Sequence, residues 1–161
     1  EKYLGNVMAQ EIKLTSEELK LIALFQKITR ASARDVIDDE RMNRLIFVVN
    51  EGKMGLAIGK GGSNIKNLQN ILKRDIELVE YAPEPEAFLK KILNPKFILS
   101  VKFSERLDGT TQVEVTVNAE KKGVVVGREG RHAQKARLLA KRYFNISKVL
   151  INSPETLTME W

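Results

Sequence analysis

Leu21, Leu24, Phe25 and Ile28 recur at the three-to-four residue spacing of one helix face. Ahead of them, Thr15-Ser16-Glu17-Glu18 has the form of a capping box, in which the Thr15 hydroxyl and the Glu18 carboxylate cover orphan N–H groups. The pattern predicts a helix to about Ala31. The period then changes. Residues 34–38, with Val36 and Ile37, predict a short strand, and the β-branched and aromatic run Leu45 to Val49 predicts a buried one. Gly52 to Ile58 predicts a short helix. Asn64 to Leu72 predicts another, with Ile65, Leu68 and Leu72 on one face, and Ile76 to Tyr81 closes the series as a strand.

Ala82-Pro83-Glu84-Pro85 interrupts the pattern, because proline restricts the residue before it and pre-sets a helix start. The same order of elements then returns. Ala87 to Leu93 predicts a helix that stops near Asn94-Pro95. Phe97, Leu99, Val101 and Phe103 alternate with Ile98, Ser100 and Lys102 as a strand. Asp108-Gly109 signals a hairpin turn, and Val113, Val115 and Val117 mark its partner strand. A short helix from Ala119, a long one from Arg131 to Phe144 and a strand from Ser147 to Ile151 complete the second half.

The two halves share a short motif at one offset. Ile58-Gly59-Lys60-Gly61-Gly62 and Val126-Gly127-Arg128-Glu129-Gly130 each hold a Gly-x-x-Gly turn with a cation at its first central position. Asn50, Lys53 and Gly55 find Asn118, Lys121 and Gly123 at the same 68-residue separation. A duplicated unit of this kind points to a repeated phosphate-contacting module. Glycine removes the Cβ that would hold a phosphate away, and the helix behind the loop offers N–H groups and the positive end of its dipole. Ile58, Ile65 and Val126 are candidates for an apolar groove floor on which unstacked bases lie.

Charge supports an anionic partner. Lys and Arg number 27 against 21 Asp and Glu, a formal charge of +6. On the long second-half helix, Arg128, Arg131, Lys135 and Arg142 fall near one stripe. Ala133, Ala136, Leu139, Ala140 and Tyr143 fall on another, the expected core face. Glu129 places a carboxylate inside the second loop and works against an anion there.

Other chemistries are excluded or weakened by residue type and spacing. The chain has no cysteine, which removes disulfides, thiolate zinc sites and cysteine nucleophiles and fits a reducing, cytoplasmic setting. No apolar run reaches the ~20 residues of a membrane span. A P-loop is one residue short between Gly55 and Gly59, and Gly61 stands where the magnesium-binding hydroxyl belongs. A dinucleotide fingerprint lacks its third glycine at Asn64. His132 is the only histidine and reads as a surface or half-packed residue rather than a catalyst. The turn Asp38-Asp39-Glu40 lacks calcium-loop spacing. Trp161 reads equally as a packed tail or a stacking platform.

The order helix–strand–strand–helix–Gly-x-x-Gly–helix–strand resembles the type II KH domain, with Gly59 to Gly62 and Gly127 to Gly130 at its signature loop. The stretch Phe47-Val48-Val49 through Gly55 to Lys66 is similar to the archaeal NusA-like family of transcription factors. The resemblance implies an α+β fold of two tandem type II KH domains, each a three-stranded sheet with helices on one face. The expected division is an N-terminal extension over 1–10, native or left by cloning, domains over 11–82 and 83–152, and a tail over 153–161. It implies a monomer, without enzymatic activity or cofactor, that binds single-stranded RNA in transcription elongation and termination near RNA polymerase. The expected RNA-binding residues are Ile58, Gly59, Lys60, Gly61, Gly62, Ile65, Lys66, Val126, Gly127, Arg128, Glu129, Gly130, Arg131 and Lys135. A component of ribosome assembly or RNA processing, and a polymerase-binding module with secondary RNA contacts, are the alternatives.

Overall fold

The computed structural model describes residues 10–154, so the expected extension before Gln10 and the tail from 155, with Trp161, lie outside the described residues. The chain divides into two compact units. One is Lys13–Ala82; the other runs from Pro83 and includes residues 10–12.

In the first unit, α1 (Ser16–Thr29) begins at the expected capping box: Glu18 N–H donates to Thr15 Oγ1 at 3.1 Å, and Thr15 N–H donates to Glu18 Oε1 at 2.9 Å. It stops two residues before the predicted end because Arg30 turns left-handed, at φ 66°. The buried face centres on Ile22, Phe25 and Thr29, with Leu21 and Ile28 flanking. β1 (Ala33–Asp39) and β2 (Arg44–Val49) pair antiparallel, and β3 (Asp75–Glu80) pairs parallel to β2 on its other side. Between them lie α2 (Met54–Ile58) and α3 (Ser63–Leu72), which carry Ala57 and Leu68 into the core. Phe25 stacks on Phe47 at 4.5 Å between ring centroids, joining α1 to the central strand.

The acidic turn is explained by pairing rather than by a cation site. Arg44 is fully buried at the head of β2. Its Nε donates to Asp39 Oδ2 at 2.7 Å and its Nη1 to Glu77 Oε2 at 3.0 Å, tying β1, β2 and β3 together. Arg74 Nη2 donates to Asp38 Oδ1 at 2.6 Å and to the Arg44 carbonyl at 3.1 Å. Two of the three acidic groups are thus held by arginines from neighbouring elements.

The second unit repeats the order with α4 (Pro85–Leu93), β4 (Ile98–Glu105), β5 (Thr111–Val117), α5 (Lys122–Val126), α6 (Arg131–Tyr143) and β6 (Ile146–Asn152). Its sheet has β5 in the centre, antiparallel to β4 and parallel to β6. Phe88 of α4 meets Tyr143 and Phe144 edge-on, at 5.2 and 6.1 Å. Gln10, set aside with the N-terminal extension in the sequence, is bonded here: its N–H donates to the Tyr143 carbonyl at 2.7 Å, and its side-chain amide to those of Lys141 and Phe144. These bonds satisfy carbonyls at the end of α6.

The alternation predicted for β4 fails at its start. Pro95–Phe97 forms a tight turn, and the register with β5 shifts between Ile98 and Ser100. Leu99 is the extra residue and is 57% exposed instead of facing inward with Val101 and Phe103. At the β4–β5 hairpin the Thr110 hydroxyl, then its backbone N–H, hold the exposed Asp108 carboxyl below its ordinary pKa.

Both α+β units therefore have three-stranded sheets with the same strand order and sense. Because Arg44 is buried between two carboxylates, Arg44→Ala removes the buried cation that both of them face. It is expected to cost about 3–5 kcal/mol in urea unfolding. Lys73→Ala, on an exposed position after α3, is expected to stay within about 0.5 kcal/mol.

Candidate nucleic-acid interface

Each Gly-x-x-Gly segment is a sharp corner between two helices. After α2, Gly59 adopts φ 79° and ψ 169°, Gly61 φ 63° and Gly62 φ 76°, and α3 starts at Ser63. After α5, Gly127 adopts φ 87° and ψ 165°, Glu129 φ 55° and Gly130 φ 75°, and α6 starts at Arg131. The two loops share one backbone path. The path puts a non-glycine residue, Glu129, into the left-handed region where the first loop has Gly61, a conformation that costs an L-residue about 1–2 kcal/mol.

The glycines do different work. A Cβ on Gly61, Gly62 or Gly130 would meet nothing within 4 Å, so these positions are open toward solvent. A Cβ on Gly59 would lie 2.8 Å from Asn64 Nδ2 and 3.0 Å from Ser63 Oγ. A Cβ on Gly127 would lie 2.6 Å from His132 Cδ2 and 3.0 Å from His132 backbone N. The first glycine of each loop therefore makes room for a side chain of the following helix. Asn64 uses that room to donate to the Leu56 carbonyl at 3.0 Å, bonding α3 back to α2.

The cations are presented as the sequence suggests: Lys60, Lys66 and Arg128 are exposed, as is Glu129, and Arg131 is half-buried. Lys135 departs from the expected stripe. It is only 7% exposed, on the same side of α6 as Ala136 and Leu139, so the solvent-facing track lacks it. Ile65, expected on the groove floor, is half-buried and packs against the core of the first unit. Ile58 is exposed at 37%, and Val126 is half-buried.

Two apolar groups that the sequence did not single out stand beside the loops. Leu56 is 49% exposed and Val124 58% exposed, each three residues before the first loop glycine. The 68-residue offset that pairs the loops also pairs these two, and it is the signal that finds them. Val124 and His132 line a cavity of about 400 Å³ closed on its other side by Lys91 to Pro95, at the end of α4. The cavity combines aliphatic walls with a lysine, an asparagine and an imidazole beside the second loop. Among the described residues no group of three or more His, Asp or Glu is placed to hold a metal, and no helix is long and apolar enough to cross a membrane.

A model of the KH domain matches residues 21–102. The probable transcription termination protein NusA of Halobacterium salinarum is 39% identical over 138 residues, covering 86% of this chain and 96% of that protein. The chain belongs to the NusA-like family of KH-domain proteins. The protein of the same description from Methanococcus vannielii is 31% identical over 140 residues, 87% of this chain and 79% of its own length. The crystal structure of APE1850 superposes with a TM-score of 0.79 at 40% identity, covering 86% of this chain and 99% of that one.

The steric difference between the loops makes a testable order. The atoms nearest a Cβ on Gly59 belong to side chains, whereas those nearest one on Gly127 include a backbone nitrogen. Gly127→Ala is expected to destabilise more than Gly59→Ala. Both should exceed Gly61→Ala, which carries only the left-handed penalty of about 1–2 kcal/mol. Adding His132→Ala to Gly127→Ala should recover part of the loss, read as a coupling energy in denaturant unfolding.

Proposed function

We propose that the protein binds single-stranded RNA through both Gly-x-x-Gly loops and acts on transcripts during transcription elongation and termination. The observation that carries this reading is the recurrence of one local arrangement at one offset. In each unit an exposed cation tips a left-handed loop (Lys60, Arg128), a helix start lies behind it, and an exposed aliphatic group stands before it (Leu56, Val124). A phosphate is served by the first two features and an unstacked base by the third. Duplex bases do not reach such a groove, so the ligand is single-stranded.

The reading is one of binding without a reaction. It is supported by the loops' lack of the Ser or Thr hydroxyl of a magnesium-nucleotide site. Assignment to transcription draws support from relatives described as probable transcription termination proteins. RNA polymerase follows as the second partner of this reading, with transcripts as the RNA.

Lys60→Asp with Gly61→Asp tests the first loop. The second loop already holds an acidic residue, Glu129, at the position equivalent to Gly61, so the fold should survive and circular dichroism should not change. Affinity for single-stranded RNA is expected to fall by about tenfold or more, roughly 1.4 kcal/mol. Unchanged affinity would remove this loop from the site.

Arg128→Ala tests the second loop by salt dependence. If Arg128 neutralises a phosphate, the slope of log affinity against log salt should shrink by about 0.7, the single-strand value per contact. A slope equal to that of the parent protein would mean that Arg128 meets no phosphate.

A further inference from the structure

Among the described residues β6 pairs with β5 on one side only and is an edge of its sheet. Ser147 is an extra residue in the register, and Lys148 to Asn152 then pair regularly. Beside this edge, a cavity of about 140 Å³ is lined by Arg137, Leu138 and Lys141 of α6 and by Ile146, Ser147 and Val149. Arg137 and Lys141 are exposed, as is Lys148 on the strand itself. The Ser147 hydroxyl lies 2.7 Å from that of Thr110, and the Asn145 amide donates to the Gly109 carbonyl at 3.4 Å. These contacts fasten the β4–β5 hairpin next to the cavity, and at its tip Leu107 is fully exposed.

The duplicated unit is an internal control. At the same 68-residue offset, Gln69, Asn70 and Lys73 stand where Arg137, Leu138 and Lys141 do, and edge strand β3 carries Asp75, Glu77 and Glu80. The fold does not require a basic, apolar-lined edge. Lysines on an edge also discourage self-pairing, but a guard of that kind needs only charge. The cavity and Leu107 go beyond it.

We propose that the β6 edge receives an extended acidic segment of a partner protein by strand addition. The edge supplies main-chain hydrogen bonds, and the cavity selects one aliphatic side chain on alternate positions of the added strand. Arg137, Lys141 and Lys148 favour carboxylates on that segment. The cavity is well below the roughly 300–1,000 Å³ of small-molecule pockets. None of its lining residues is aromatic, so a nucleic-acid base finds no stacking platform there. A peptide meets all of these conditions.

The test is a titration of the full ¹⁵N-labelled chain with a synthetic peptide of about nine residues alternating leucine and aspartate, a length that spans the edge. Saturable amide shifts are expected at 137–141 and 147–152. Arg137→Glu and Leu138→Ser should each weaken binding by about tenfold or more, and a leucine–lysine peptide should not bind. Absence of saturable shifts, or shifts centred on the Gly-x-x-Gly loops, would overturn the proposal. Displacement of the peptide from 137–152 by single-stranded RNA would overturn it by assigning the edge to RNA. Concentration-dependent shifts of the same amides in the protein alone, lost in Leu138→Ser, would assign the edge to a second copy. The readout does not pass through Lys60 or Arg128, so its failure is distinct from failure of the RNA reading.

Discussion

The corner between two helices depends on a steric vacancy. Asn64 and His132 each occupy space that a Cβ on the first loop glycine would fill. With that space taken, the short helix before the loop packs close to the start of the helix after it. The chain between them must then turn outward, and the left-handed residues at 61, 62, 129 and 130 make that turn. The cations at 60 and 128 stand in the same turn, directly after the packing glycine, and are exposed. Sequence reasoning gave both kinds of glycine one purpose, close approach of a phosphate. The structure divides them into a packing glycine at the first position and open glycines after it.

Elements whose cause is local were legible in the chain. The Thr15 capping box, the Pro85 helix start and the β-branched run of β2 each act through neighbours within a few residues, and each predicted its element to within two positions. What remained hidden was set by partners distant in sequence. Leu99 continues a period-two pattern, yet the register with β5 ejects it. Asp38 and Asp39 form an acidic cluster on paper, and only the fold brings Arg74 and Arg44 to them. Lys135 belongs to a basic stripe by helical angle, but its long aliphatic stem suits a buried position that the angle alone does not reveal.

The loop motif was legible for a different reason. A motif repeated at a fixed offset carries its own control, and the glycines and cations could be read from two copies at once. The offset that pairs Asn50 and Gly55 with their counterparts also pairs Leu56 with Val124, but residue type alone does not mark these two as site residues. Their exposure is what gives them meaning: an aliphatic residue in a five-residue helix reads as core until a structure leaves it half in solvent.

The copies also differ, and under the RNA-binding proposal the differences bear on what each loop contributes. The first loop offers Lys60 among glycines and no carboxylate. The second holds Glu129 in a strained conformation, next to Arg128 and ahead of Arg131. A carboxylate there repels a phosphate, so the second loop must draw more of its attraction from the two arginines than the first draws from Lys60. Arginine, with its planar fork, suits that demand better than a lysine point charge. The second loop also has an imidazole under its first glycine and a 400 Å³ cavity beside Val124. Its surroundings hold base-sized apolar and polar surface, while its loop is poorer in net charge than the first. On the RNA-binding reading, the first loop serves backbone attraction and the second adds selectivity for what the backbone carries.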